Sequence, residues 1–117
     1  MQRPQFPTII GLVIAAVLAA AAPAAAQGNR CAEEAASIRR AEAQLPKLDV
    51  APPGDQQIVC ITLETNILFA RRLAAHVSQC PRSPHASSAD EWARTGSDYT
   101  DRFKDRRCKP AIRAFRG

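Results

Sequence analysis

The stretch that decides the fold is residues 56–79, QQIVCITLETNILFARRLAAHVSQ. Its apolar residues recur at alternating spacings of three and four, which is the period of one face of an α-helix. The first apolar row comprises Cys60, Leu63, Ile67, Ala70, Ala74 and Val77, and a second row comprises Ile61, Leu68 and Ala75. Two adjacent rows predict a central helix that is covered by neighbours on two sides.

The residues on either side of this helix predict where it begins and ends. Asp55 is a candidate N-cap, because its carboxylate can accept a hydrogen bond from an amide of the first turn. Pro81 follows the last apolar position and is predicted to end the helix. The preceding residues 46–54, PKLDVAPPG, contain three prolines and one glycine and therefore predict an extended connector.

Two further helices are predicted, one on each side of the central helix. Asn29 is a candidate N-cap for the first, and Pro46 ends it. Residues 88–91, SADE, match a capping box at the start of the third helix. The apolar face of that helix comprises Ala89, Trp92, Gly96, Tyr99 and Phe103, and Pro110 is predicted to end it. No stretch after residue 26 alternates as a strand would, so the sequence predicts an all-α, three-helix, up-down-up fold.

The four cysteines, Cys31, Cys60, Cys80 and Cys108, predict two disulfides. Their spacings of 29, 20 and 28 residues include no closely spaced pair of the kind that holds zinc or performs redox chemistry. Two disulfides are typical of a small domain that matures in an oxidising compartment.

Helix geometry selects the pairing. A helix rises 1.5 Å per residue, so Cys60 and Cys80 lie about 30 Å apart, whereas a disulfide requires Cα atoms within about 7 Å. Folding the third helix back along the second brings Cys108 level with Cys60 and leaves Cys31 for Cys80. The remaining pairing, Cys31–Cys60 with Cys80–Cys108, would require the third helix to double back at Gly96. The prediction is therefore Cys31–Cys80 and Cys60–Cys108.

Residues 1–26 are predicted to be a signal peptide that is removed on export. A basic start with Arg3 precedes an apolar run of 14 residues, and the small residues at 24–26 offer a cleavage site. An uncleaved membrane anchor is the alternative, although the apolar stretch is barely long enough to span a bilayer. Cleavage would leave one domain, residues 27–117, without a transmembrane span.

Size and composition narrow the class of protein further. Residues 27–117 are too few for a second core, which excludes multidomain enzymes and Rossmann or barrel folds. The leader is rich in Ala, and Arg outnumbers Lys by 13 to 3, which favours a bacterial origin. The expected location is therefore the periplasm or the extracellular space.

The sequence contains no familiar catalytic or metal-binding motif. His76 and His85 are nine residues apart and do not match a zinc-binding histidine pair, so each is interpreted as an ordinary surface or capping histidine. The acidic pairs at 33–34 and 90–91 fall in first helical turns, where the helix dipole explains them. We therefore expect no enzymatic activity, no cofactor and no metal site.

Positive charge is concentrated at the C-terminal end. Residues 27–101 contain 8 basic and 10 acidic residues, whereas residues 102–117 contain seven basic residues and one acidic residue. The candidate binding residues are Arg102, Lys104, Arg106, Arg107, Lys109, Arg113 and Arg116. Because export makes nucleic acid an unexpected target, we expect contact with an anionic envelope surface or an acidic protein partner. A merely solvated basic segment is the alternative.

These observations predict an exported, non-enzymatic helical binding protein whose contact surface is the basic C-terminal end. One alternative is a periplasmic small-ligand carrier with a groove beside Trp92, Gly96, Tyr99 and Phe103, although an aromatic row at helical spacing is also typical of a helix core. A second alternative is an envelope-stress or chaperone-like helical protein.

Overall fold

The computed structural model describes residues 23–112, with side chains described from residue 28 onward. Within this range the chain forms three α-helices and no strand, which confirms the all-α, three-helix prediction. The helices are α1 (Pro23–Ala43), α2 (Gln56–Gln79) and α3 (Ala89–Asp105), with short 3-10 helices at Leu48–Val50 and Pro84–Ser88.

Two compact units divide the chain, residues 1–30 and residues 31–117, and every contact described below lies within the second. The predicted signal peptide, residues 1–26, lies outside the described residues except for its last four, which form the start of α1. Because α1 begins at Pro23, Asn29 is inside the helix, and its prediction as the N-cap is wrong.

The two disulfides are those that helix geometry predicted, so the predicted pairing is confirmed. Cys31 is bonded to Cys80 with a Cα–Cα distance of 5.8 Å, and Cys60 is bonded to Cys108 with a distance of 5.5 Å. The first bond joins the start of the 31–43 part of α1 to the end of α2, and the second joins the start of α2 to the chain just after α3. Consecutive helices are therefore antiparallel, as the up-down-up prediction requires.

The central helix α2 begins and packs as its sequence predicts. The side chain of Asp55 accepts a hydrogen bond of 3.1 Å from the backbone N–H of Ile58, which caps the helix. Two core clusters then cover α2 on two sides. One joins Val59, Leu63 and Ile67 to Phe103 of α3, and the other joins Phe69 and Leu73 to Ile38 of α1.

Helices α2 and α3 approach each other closely at Gly96. A Cβ atom at this position would lie 2.9 Å from the Cβ atom of Ala70, closer than two methyl groups tolerate. The helix α3 runs without a break through Gly96. The missing side chain therefore permits close helix packing, and the helix continues through this position.

Both ends of α3 differ from the prediction. Ser88 Oγ donates to the carbonyl of His85 at 3.1 Å and accepts no bond from the first turn, so the capping box does not form. The helix ends at Asp105, five residues before Pro110. The chain leaves the helix through a turn at residues 106–107, and Cys108 just beyond this turn is bonded to Cys60.

Candidate functional site

The basic end is the first candidate site, and all of its described basic side chains are exposed: Arg102, Lys104, Arg106, Arg107 and Lys109. Arg113 and Arg116 lie outside the described residues. The structure therefore places five of the seven predicted binding residues at the end of α3 and in the seven residues that follow it.

Two of these arginines are held by neighbours. Arg106 and Gln56 form a reciprocal pair, in which Gln56 Nε2 donates to the carbonyl of Arg106 at 2.7 Å and Arg106 Nη1 donates to Gln56 Oε1 at 3.1 Å. Arg102 forms an ion pair of 3.1 Å with Asp98 and lies 5.8 Å from the centre of the Tyr99 ring. The side chains of Lys104, Arg107 and Lys109 are exposed, and none of them forms a salt bridge with another residue of the 28–112 range.

Residues 106–112, the described part of the chain after α3, are fixed to α2 and form a surface of defined structure. The disulfide to Cys60 holds Cys108. Three residues further on, the fully buried carboxylate of Glu64 accepts hydrogen bonds of 2.9 and 3.1 Å from the backbone N–H of Ala111, and one of 2.9 Å from that of Ile112. Residues 108–112 are thereby anchored at two points.

The turn that leads into this segment places Arg107 in an unusual backbone conformation. The N–H of Arg107 donates to the carbonyl of Lys104 at 2.9 Å, and that of Cys108 donates to Phe103 at 3.0 Å, the pattern of a Schellman helix end. Arg107 occupies the left-handed position of this turn, with φ of 56°. Glycine is the usual residue there, because any side chain raises the free energy of that conformation by about 1–2 kcal/mol.

Apolar surface lies beside the positive charges. Ile58 and Ile61, at the start of α2, are 43% and 38% exposed. A cavity of about 350 Å³ lies between this part of α2 and the chain after α3, lined by Gln56, Gln57, Cys60, Ile61, Arg107, Cys108, Lys109 and Ala111. A second cavity of about 270 Å³ is lined by Leu48, Ala51, Pro53, Val59, Leu63, Arg102, Asp105 and Arg106. The basic end therefore combines cationic side chains with cavities that are partly lined by apolar residues.

The residues predicted to share a carrier groove are separated in the structure. Trp92 packs edge-on against Phe69 and, together with Tyr99, borders a cavity under the 46–49 connector. Phe103 is buried in the core. Gly96 borders a different groove of about 380 Å³, where Ala70 and the exposed Ala74 form part of the wall. Within the described residues, Trp92 and Tyr99 therefore share one cavity, whereas Gly96 borders another.

A second cluster, which the sequence analysis missed, surrounds His76 near the end of α2. Its ring is fully buried, and both ring nitrogens have partners. Nδ1 lies 2.6 Å from Oε1 of Glu34 on α1, and Nε2 lies 2.7 Å from Oγ of Ser83 in the loop after α2. The interpretation of His76 as a surface or capping residue is wrong.

His85 lies beside this cluster and is also buried, so its interpretation as a surface residue is wrong too. Its ring centre is 5.9 Å from that of His76, and its Nε2 lies 2.9 Å from the carbonyl oxygen of Ala35. The backbone N–H of His85 donates to Ser83 Oγ at 3.2 Å. Hydrogen bonds therefore link the loop that carries Ser83 to α1 and also join residues within the loop.

One signal in the sequence could have found this cluster. Glu34 lies one helical turn after Cys31, and His76 lies one turn before Cys80. The predicted Cys31–Cys80 bond therefore implies that these two side chains are neighbours, although they are 42 residues apart.

Among residues 28–112, one group of three side chains has the spacing of a possible metal site: Glu34, His76 and Cys80, whose ligand atoms lie within 4.8 Å of one another. The sulfur of Cys80 is bonded to Cys31 and cannot provide a thiolate while that disulfide is intact. With Cys80 removed, two donor atoms remain, fewer than the three or four protein ligands of a typical zinc site.

No known protein family, curated protein or solved structure matches this chain. No helix within residues 23–112 combines the length and the apolar character needed to cross a bilayer.

Proposed function

We propose that this protein is exported to the periplasm or secreted, and that it binds an anionic envelope component through its basic C-terminal end. The observation that carries the proposal is Arg107 in a left-handed turn position with φ of 56°. Glycine would stabilise this turn, so an arginine there lowers stability while presenting a charge to solvent. Residues held in strained backbone conformations of this kind cluster at functional sites.

The neighbours of Arg107 favour a lipid surface over an acidic protein as the target. Ile61 is exposed and borders the same cavity as Arg107 and Lys109, and Ile58, three residues earlier on α2, is exposed as well. Apolar side chains next to cations suit the boundary between lipid headgroups and acyl chains. Near an anionic membrane each Lys or Arg contributes about 1 kcal/mol of attraction. The two disulfides are consistent with maturation in an oxidising compartment.

The test is vesicle binding by the oxidised protein, purified in its exported form after expression of the full gene. We expect binding to vesicles that contain phosphatidylglycerol, little binding to vesicles of phosphatidylcholine alone, and a steep loss of binding as salt is raised. Reversing the charge of Arg107 and Lys109 to Glu should weaken binding by about tenfold or more.

The matched control reverses the charge of Arg39 and Arg94, which are exposed on α1 and α3 outside the basic end. This variant has the same net charge as the first and should bind normally. Equal losses in both variants would contradict the proposal, because net charge alone would then explain the binding. If the protein did not bind vesicles but bound polyglutamate in a salt-sensitive way, an acidic protein partner would be favoured instead.

A further inference from the structure

We propose that Ser83, His76 and Glu34 form a nucleophile, a general base and a positioning acid that together transfer acyl groups from small esters to water. This site lies near the end of α2, about 20 residues or 30 Å along the helix from the basic end, so it is independent of the function proposed above. No local sequence motif marks this site, because the three residues meet only in the folded chain.

The hydrogen-bond directions in this cluster follow from which groups can donate. A carboxylate only accepts, so the 2.6 Å contact requires that His76 Nδ1 carry a proton and donate it to Glu34. In a neutral imidazole Nε2 is then an acceptor. Ser83 Oγ accepts from the backbone N–H of His85 at 3.2 Å, and toward the neutral form of His76 it donates its own proton to Nε2 at 2.7 Å. This is the arrangement in which a histidine activates a serine hydroxyl.

The cluster is held in place before any substrate binds. The imidazole of His76 is fully buried, whereas Ser83 is partly exposed at the surface. The Cys31–Cys80 bond fixes the helical turns that carry Glu34 and His76. The backbone N–H of Ser83 donates to the carbonyl of Cys80 at 2.9 Å, so the nucleophile is tied to the same disulfide. Such positioning is the main structural requirement for proton transfer to a base.

The reaction that this geometry supports needs no redox partner. Ser83 Oγ attacks the carbonyl carbon of an ester while His76 Nε2 takes the hydroxyl proton, and the C–O bond to the alcohol breaks as that proton passes to the leaving oxygen. Water then attacks the acyl group on Ser83, again giving its proton to His76. The carboxylic acid leaves and the Ser83 hydroxyl regains its proton.

The primary test is covalent labelling of the oxidised, full-domain protein with a fluorophosphonate probe, followed by peptide mapping. We expect one adduct, on Ser83. Ser83→Ala should abolish labelling, and Ser83→Thr, which keeps a hydroxyl, should retain part of it. The matched control is Ser87→Ala, because Ser87 lies in the same loop, is exposed, and its Oγ donates to the carbonyl of Pro84 and not to a histidine ring.

Hydrolysis of p-nitrophenyl acetate gives a second readout. Ser83→Ala removes the nucleophile, so it should lose at least the roughly 10²- to 10⁴-fold that base assistance to this hydroxyl contributes. Glu34→Gln should lower the rate at least tenfold, and Glu34→Asp should recover part of it, which a merely structural role would not produce. Circular dichroism and intact disulfides would establish that each variant is folded. Absence of an adduct on Ser83 in the folded protein, or equal labelling of the Ser83→Ala and wild-type proteins, would show that the cluster only satisfies buried polar groups.

Discussion

Both carboxylate oxygens of Glu64 accept hydrogen bonds from the backbone N–H of Ala111, at 2.9 and 3.1 Å. Glu64 lies in the middle of α2 and is fully buried, and it also accepts from the N–H of Ile112. A single side chain thereby replaces the backbone partners that these two amides lack after α3 has ended. It is the reason that the basic chain beyond Cys108 lies along α2.

Removing that acceptor is expected to release the segment. Glu64→Gln replaces one carboxylate oxygen with an NH₂ group that faces the N–H donors, and we expect a loss of about 1–3 kcal/mol in the free energy of unfolding. Hydrogen exchange at Ala111 and Ile112 should accelerate more than exchange in the α2 core. The control is Glu33→Gln, the same change at an exposed position on α1, which should leave both measurements within error.

Each disulfide is expected to contribute to stability mainly by restricting the unfolded chain. The two bonds close loops with sequence separations of 49 and 48 residues. The loop-entropy relation gives about 4 kcal/mol for either loop. Replacing Cys31 and Cys80 by Ser, or Cys60 and Cys108 by Ser, should therefore lower the free energy of unfolding by similar amounts in urea denaturation.

The two variants should nevertheless differ locally. Loss of Cys60–Cys108 should weaken the salt-sensitive binding at the basic end, whereas loss of Cys31–Cys80 should instead abolish labelling at Ser83. If either variant affected both sites equally, the assignment of one disulfide to each site would be wrong.

The contact between Gly96 and Ala70 predicts a stability effect of defined sign. Gly96→Ala gains about 1 kcal/mol of helix propensity, but it places a methyl group 2.9 Å from the Cβ atom of Ala70, and overpacking costs about 1–3 kcal/mol. We expect net destabilisation of about 1 kcal/mol in urea. The same substitution at Gly28, where nothing lies within 4 Å, should not destabilise the protein.

A double-mutant cycle separates the clash from other effects. Ala70→Gly removes the opposing methyl group, so the double variant should be more stable than the sum of the two single changes predicts. Strict additivity would show that the helices move apart without cost at this point.

Arg107→Gly is expected to raise stability while lowering binding. Glycine adopts the left-handed conformation without steric cost, so the free energy of unfolding should increase by about 1 kcal/mol. Binding to anionic vesicles should fall, because one exposed charge is lost. Arg107→Lys is the control: it keeps the charge and the backbone cost, and should change neither property appreciably. A stabilised Arg107→Gly variant with unchanged binding would remove the main support for the proposed function.

Local rules account well for the helices and for the disulfide pairing. The three/four spacing of apolar residues and the cap at Asp55 define α2, and the rise of 1.5 Å per residue excludes a Cys60–Cys80 bond. The same rules fail at the ends of α3. Ser88 bonds instead to the carbonyl of His85, within the 3-10 helix that precedes α3, so one local preference replaces another. At the other end α3 stops well before Pro110, and the chain beyond it is held by the bond from Cys108 to the distant Cys60.

The sequence by itself therefore determined the all-α class, the order of the helices and which sulfurs can meet, because each depends on the helical period and on distance along the chain. Only the tertiary structure decided which polar groups meet when they are far apart in sequence, because the helical period does not relate such residues. Glu64 meets Ala111 across 47 residues, and Glu34 meets His76 across 42. Such contacts depend on how helices are rotated and offset against one another, and that arrangement is fixed by side-chain packing in three dimensions.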